Sequence, residues 1–123
     1  MITEDYVSFE TAKLLKEKGF DECCHLHYHY VEPFDRWFQT SECIDSRFKK
    51  YYYPCPTLQM AMKWLRDVHN LWCEISWEGK GLWCMEVFSL MDEEFIPGSI
   101  VHEIKSYEEA CETAIKYCLE NLI

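Results

Sequence analysis

Leu71-Trp72-Cys73-Glu74-Ile75-Ser76-Trp77-Glu78-Gly79-Lys80-Gly81-Leu82-Trp83-Cys84-Met85-Glu86-Val87-Phe88-Ser89-Leu90 is the stretch that decides the fold. Leu71, Cys73, Ile75 and Trp77 recur at every second position, the period of a strand with one buried face. Glu78-Gly79-Lys80-Gly81 then supplies the glycines of a tight reversal. Leu82 to Leu90 reads as the returning strand. Its inward face is Trp83, Met85 and Val87, because Glu86 falls on the other side. An antiparallel hairpin therefore sits in the second half of the chain, with Trp72 on the face opposite Leu71, Cys73 and Ile75.

The flanks change period. Before the hairpin, Pro56-Thr57 opens a helix over Leu58 to His69, with Thr57 as N-cap. Leu58, Ala61, Met62, Leu65 and Val68 make its apolar stripe, Trp64 lies beside it, and Lys63, Arg66 and Asp67 face water. After the hairpin, Asp92-Glu93-Glu94 and Pro97-Gly98 mark a loop, and Ser99 to Ile104 reads as a third short strand. Ser106-Tyr107-Glu108-Glu109 has the pattern of a capping box. The helix it opens carries Ala110, Cys111, Ala114, Cys118 and Leu122 inward, with Ile115 alongside, and reaches almost to Ile123. Nearer the N-terminus, a helix is expected from Ser8 to Lys18. Phe9, Ala12 and Leu15 share its face, and Gly19 and Phe20 close it. Residues 22–31 alternate as a strand. Residues 32–56 are irregular, broken by Pro33, Pro54 and Pro56, with Tyr51, Tyr52 and Tyr53 favouring an extended run. The order α-β-(β)-α-β-β-β-α predicts one α+β domain with three helices and a mainly antiparallel sheet.

Composition bounds what this domain does. Its 123 residues suffice for one domain, and 49% hydrophobic and 16% aromatic residues supply a core. Acids outnumber bases 22 to 12, for a net charge of −10. Residues 1–56 hold ten acids and seven bases, and residues 57–123 hold twelve and five, so the second half is the acidic one. That balance argues against direct nucleic-acid binding, which needs a basic face. No apolar run is long enough to span a membrane. Met1-Ile2-Thr3-Glu4-Asp5 has neither the basic nor the apolar region of a secretory signal. The expectation is a cytoplasmic protein whose eight cysteines (Cys23, Cys24, Cys43, Cys55, Cys73, Cys84, Cys111 and Cys118) are reduced thiols.

Val7-Ser8-Phe9-Glu10-Thr11-Ala12-Lys13-Leu14-Leu15-Lys16-Glu17-Lys18-Gly19-Phe20-Asp21-Glu22, Pro56-Thr57-Leu58-Gln59-Met60-Ala61-Met62-Lys63-Trp64-Leu65-Arg66-Asp67-Val68-His69-Asn70 and Tyr107-Glu108-Glu109-Ala110 resemble a family of small uncharacterised proteins of gut Bacteroidales and their phages and mobile elements. The resemblance covers most of the chain outside residues 23–55. It implies a bacterial or phage cytosolic protein and lends no site residues. The α-β-β-β-α order of residues 57–123 is also similar to a double-stranded RNA-binding domain. Such domains grip phosphate with lysines where their last helix starts. Here that turn carries Glu108, Glu109 and Glu112, which suit the helix dipole and repel phosphate.

Three kinds of chemistry remain. Cys23, His25, His27 and His29 project to one side of an extended 22–31, a donor set for a transition metal. Glu32 or Asp35 would supply an oxygen ligand. A straight strand does not bring four such donors to one ion, so a polar half-exposed face is the competing reading. No other cofactor is expected. Cysteine nucleophiles have no motif, and Cys73, Cys84, Cys111 and Cys118 read as core thiols. A Walker A loop, Gly-x-Gly-x-x-Gly, Gly-x-Ser-x-Gly and Cys-x-x-Cys are all missing, so an enzyme has no motif to stand on. Five tryptophans exceed what so small a core needs. An aromatic surface at Trp72 beside the acidic Glu108, Glu109 and Glu112 therefore predicts a non-enzymatic interaction module for a protein partner or for self-association. Metal binding on the histidine face and acidic mimicry of nucleic acid are its alternatives.

Overall fold

The computed structural model describes residues 1–41 and 52–123. Cys43 and Tyr51 lie outside the described residues. The chain is an α+β protein whose strands form two separate antiparallel sheets, where a single sheet was expected. Helix α1 spans Phe9–Glu17, α2 Leu58–His69 and α3 Tyr107–Asn121. The strands are β1 Leu26–Val31, β2 Arg36–Thr40, β3 Tyr52–Cys55, β4 Leu71–Gly79, β5 Leu82–Ser89, β6 Glu94–Phe95 and β7 Val101–Ile104.

Each helix begins where its sequence predicts. The hydroxyls of Ser8, Thr57 and Ser106 accept from the backbone N–H three residues on. Gly19, at φ +94°, ends α1. Its N–H bonds to the Lys16 carbonyl and that of Phe20 to the Leu15 carbonyl, the paired closure that a left-handed residue permits. Asn70, also left-handed at φ 57°, turns α2 directly into β4. The helix α2 keeps the predicted bounds and buries Leu58, Ala61, Met62 and Leu65 of the predicted stripe, with Trp64 in place of Val68. Val68 is 54% exposed, and Trp64 is buried against Phe20, with ring centres 5.3 Å apart.

The first sheet has the order β2-β1-β3 and accounts for much of the stretch that reads as irregular. Pro33 sits in a short 3₁₀ turn, Glu32–Phe34, that joins β1 to β2. The Tyr30 hydroxyl donates to the Asp35 carboxylate across that turn. Tyr28, Tyr53 and Trp37 face α1, where Phe9 packs within 5.3–5.6 Å of all three rings. Trp37 stacks on Tyr53 at 4.5 Å. Trp37 is half-buried in this aromatic cluster, and Trp64 alone of the five tryptophans is buried in the core.

The second sheet is built on β5. On one edge β4 pairs with it along its whole length. On the other, β6 pairs near Phe88 and β7 near Trp83 and Met85. Between those two short strands the Ser99 hydroxyl accepts from the Val87 N–H and donates to the Val87 carbonyl, 3.0 and 3.2 Å. One buried side chain so completes the edge where no strand does. The strand β6 falls in the stretch expected as loop. The turn Lys80-Gly81 has φ of +57° and +75°, as the two-residue hairpin predicts.

All three helices pack into one layer. Helix α3 lies against β4, β5, α1 and α2, and its small residues Ala110, Cys111 and Ala114 let it approach closely. Met85 and Val87 are fully buried beneath it, which fixes the inward face of β5 as predicted. Among the described residues no helix is long and apolar enough to cross a membrane.

Candidate functional site

Alternation in the hairpin leaves the second sheet with an open face. Met85, Val87, Cys73 and Ile75 point toward the helices. Their neighbours point the other way, in the facing pairs Trp72 with Phe88, Glu74 with Glu86, and Ser76 with Cys84. Phe95 of β6 adds a third ring, 5.8 Å from Phe88. Trp72 and Phe95 are each 37% exposed. The Trp72 indole N–H donates to Glu74 at 2.6 Å, and the Arg66 guanidinium stands 5.5 Å from its ring centre. A shallow trough of about 420 Å³ runs beside Trp72, Glu74, Phe88 and Glu93. Glu74 and Glu86 stand directly opposite one another, a placement of like charges that opposes pairing. Among the described residues neither has an ion-pair partner.

Toward the hairpin turn the same face changes character. Cys84 is only 8% exposed although no helix covers it. Glu78 from β4 and His102 from β7 meet it, with donor atoms all within 4.8 Å of one another. Two irregularities of register deliver them. Between Trp77 and Gly79 the strand β4 carries one residue more than β5, and that residue is Glu78. Between Val101 and Ile104 the strand β7 sets two residues, His102 and Glu103, opposite Cys84 alone. Glu103 takes a left-handed φ of 58° to do so. One Glu78 oxygen accepts from the Glu103 N–H at 2.9 Å, and the other lies 2.8 Å from His102 Nδ1. The Glu103 N–H first, and His102 second, hold the Glu78 carboxyl below its ordinary range. Burial, then the Glu78 charge, pushes the Cys84 thiol up. At neutral pH the thiol is therefore protonated, a poor nucleophile beside a fixed anion.

The histidine strand is arranged differently from its sequence reading. The strand β1 starts at Leu26, so Cys23 and His25 precede it and do not share its pleat. His27 and His29 lie on the face away from α1. His27 is buried with its ring 4.9 Å from Tyr52, His29 is half-buried, and His25 is exposed. Among the described residues a single group of three close donors occurs, and it is Glu78, Cys84 and His102.

The three helix-α3 acids also separate. Glu108 and Glu109 are exposed at its start. Glu112 turns inward, and its Oε1 accepts from the Ser8 N–H at 3.1 Å and from the Ser8 and Thr11 hydroxyls at 2.5 Å. Trp72 borders a pocket that it shares with Arg66 of α2 and with Tyr107 at the start of α3, and none of the three acids lines it. Of the thiols read as core, Cys73, Cys111 and Cys118 are inward, with Cys73 and Cys118 sulfurs 3.9 Å apart. Cys84 alone is on the open face. Its partners lie six and eighteen residues away on other strands, a spacing that matches no motif. The signal that bears on it is the excess residue in each neighbouring strand. Compared with protein-family models, curated proteins and solved structures, the chain matches none of them.

Proposed function

We propose that the protein is a non-enzymatic interaction module. Its working surface is the open face of the second sheet, and its partner is a protein with a basic, partly apolar surface. The observation that carries this reading is the face itself. Three aromatic rings, Trp72, Phe88 and Phe95, border two carboxylates that face each other and make no ion pair among the described residues. Aromatic groups supply contact area on binding, and a basic partner relieves the Glu74–Glu86 repulsion. Glu93 at the trough and the net charge of −10 steer the same partner. Glu112 takes no part, since α1 occupies its carboxylate.

The test is affinity capture with the wild-type chain and a Trp72→Ser/Glu86→Lys double variant in parallel. The expected result is a partner held by the wild type, released by the variant, and bound more weakly as salt rises. A partner that binds both forms equally overturns the reading, and so does the capture of none. Both substituted side chains lie on the open face, so the fold is expected to survive, which circular dichroism checks.

A further inference from the structure

We propose that Glu78, Cys84 and His102 bind one divalent transition-metal ion, of which zinc is the best fit. This site lies at the hairpin end of the same open face, beyond the patch of Trp72, Glu74, Glu86 and Phe88, and stands or falls without the reading above.

The donor set points to the class of metal. One sulfur, one imidazole nitrogen and one carboxylate oxygen match the ligands zinc takes, and each comes from a different strand of one sheet. Three protein ligands leave a fourth position for water or for a donor brought by another molecule. Ligand atoms around a tetrahedral zinc stand about 3.3–3.8 Å apart. The three donors here are already within 4.8 Å, so shifts on the order of 1 Å close the set.

The backbone around Cys84 is built to hold them there. Both strands flanking it, β4 and β7, depart from regular pairing at the level of Cys84. The departure in β7 sets Glu103 in the left-handed region, unfavourable for a side chain of its kind. Its N–H fixes one oxygen of Glu78, and His102 contacts the other. A divalent ion placed among the three donors attracts the Glu78 carboxylate and the Cys84 sulfur to one point. Binding displaces the Cys84 proton to solvent, and the Nδ1 proton that His102 shares with Glu78 passes by way of solvent to Nε2, so that the imidazole ligates as a neutral ring.

The experiment uses the reduced full chain after chelator treatment, with Co²⁺ as probe and Zn²⁺ as competitor. The expected result is one Co²⁺ per chain with thiolate-to-cobalt charge-transfer absorption that Zn²⁺ bleaches. Binding tightens from about pH 6 to about pH 8 as the displaced proton becomes easier to lose. Cys84→Ser abolishes the charge-transfer band. His102→Ala and Glu78→Gln each weaken binding by about tenfold or more. Cys23→Ser and His29→Ala leave it unchanged. A titration without the band overturns the proposal, as does a band that survives Cys84→Ser or disappears in Cys23→Ser. If a variant fails to fold, the wild type alone decides: Zn²⁺ must slow alkylation of Cys84 and spare that of Cys23, and no protection of Cys84 refutes the site.

Discussion

Glu112 shows how much one side chain decides when it links two elements. It lies about a hundred residues from Ser8 and Thr11, yet it receives three hydrogen bonds from them. Thr11 is fully buried, so its hydroxyl has no water to fall back on. The carboxylate also sits at the N-terminus of α1, where negative charge is favoured. Hydrogen bonds to a charged group contribute more than neutral ones, and an abandoned buried donor adds its own desolvation cost. Glu112→Ala is expected to destabilise the fold by about 2 kcal/mol. Glu112→Gln keeps an acceptor oxygen and costs about 1 kcal/mol, chiefly through the lost charge. Urea unfolding with an unchanged slope measures both. Glu108→Gln, at an exposed position of the same helix, is the control and shifts stability by less than about 0.5 kcal/mol. Equal effects at 108 and 112 would show that the link between α1 and α3 carries no stability.

Helix α2 is legible in its ends and in four residues of its stripe, and it departs at Trp64 and Val68 for a geometric reason. Thr57 and Asn70 act locally, one through its hydroxyl and the other through a left-handed backbone, so residue type alone places them. The buried face depends on what stands opposite. Phe20, just past the end of α1, receives Trp64, and the His69 ring packs on Trp64 at 4.6 Å. Val68 finds no such neighbour and stays exposed. Trp64→Ala is therefore expected to cost about 3–5 kcal/mol. Val68→Ser is expected to cost less than about 0.5 kcal/mol. Thermal unfolding of the two variants checks the order, and a larger loss for Val68→Ser would restore the original stripe. The hairpin was legible for the same local reasons as the helix ends. In the first sheet β1 and the extended run of β3 are legible and β2 is not, because Arg36 to Thr40 has no strong alternation and Pro33 reads as a breaker when it in fact opens a turn. The three-donor cluster was hidden one level deeper. Its members share a face only through an extra residue in β4 and another in β7, and pairing register is not written in residue spacing.

At the scale of the whole molecule, the helices serve two sheets, and several cysteines are among the side chains buried between them. Cys55, Cys111 and Cys118 are fully buried, and Cys73 meets Cys118 from the sheet side. Small thiols suit that crowded layer, since α3 packs against both α1 and the second sheet. They also make the fold sensitive to alkali. Burial pushes Cys24 up to about 12 and Cys111 up to about 11 from an ordinary 9.0. Burial raises Cys55 as well, and the contact with Cys118, followed by burial, raises Cys73. Above pH 9.0 the unfolded chain loses these protons while the folded chain keeps them. The unfolded state then binds fewer protons, so stability falls with rising pH. The contribution is complete below pH 9.0 and is lost toward the folded values of 11 and 12. The urea midpoint of the reduced protein should accordingly drop between about pH 9 and about pH 11. General repulsion in a chain of net charge −10 acts in the same direction, so a variant has to separate the two. Cys111→Ala removes one buried titrating group and leaves the surface charge untouched. Its midpoint should fall less steeply over the same range, whatever its starting stability. Identical slopes for the variant and the wild type would assign the alkaline loss to surface repulsion and clear the buried thiols of any part in it.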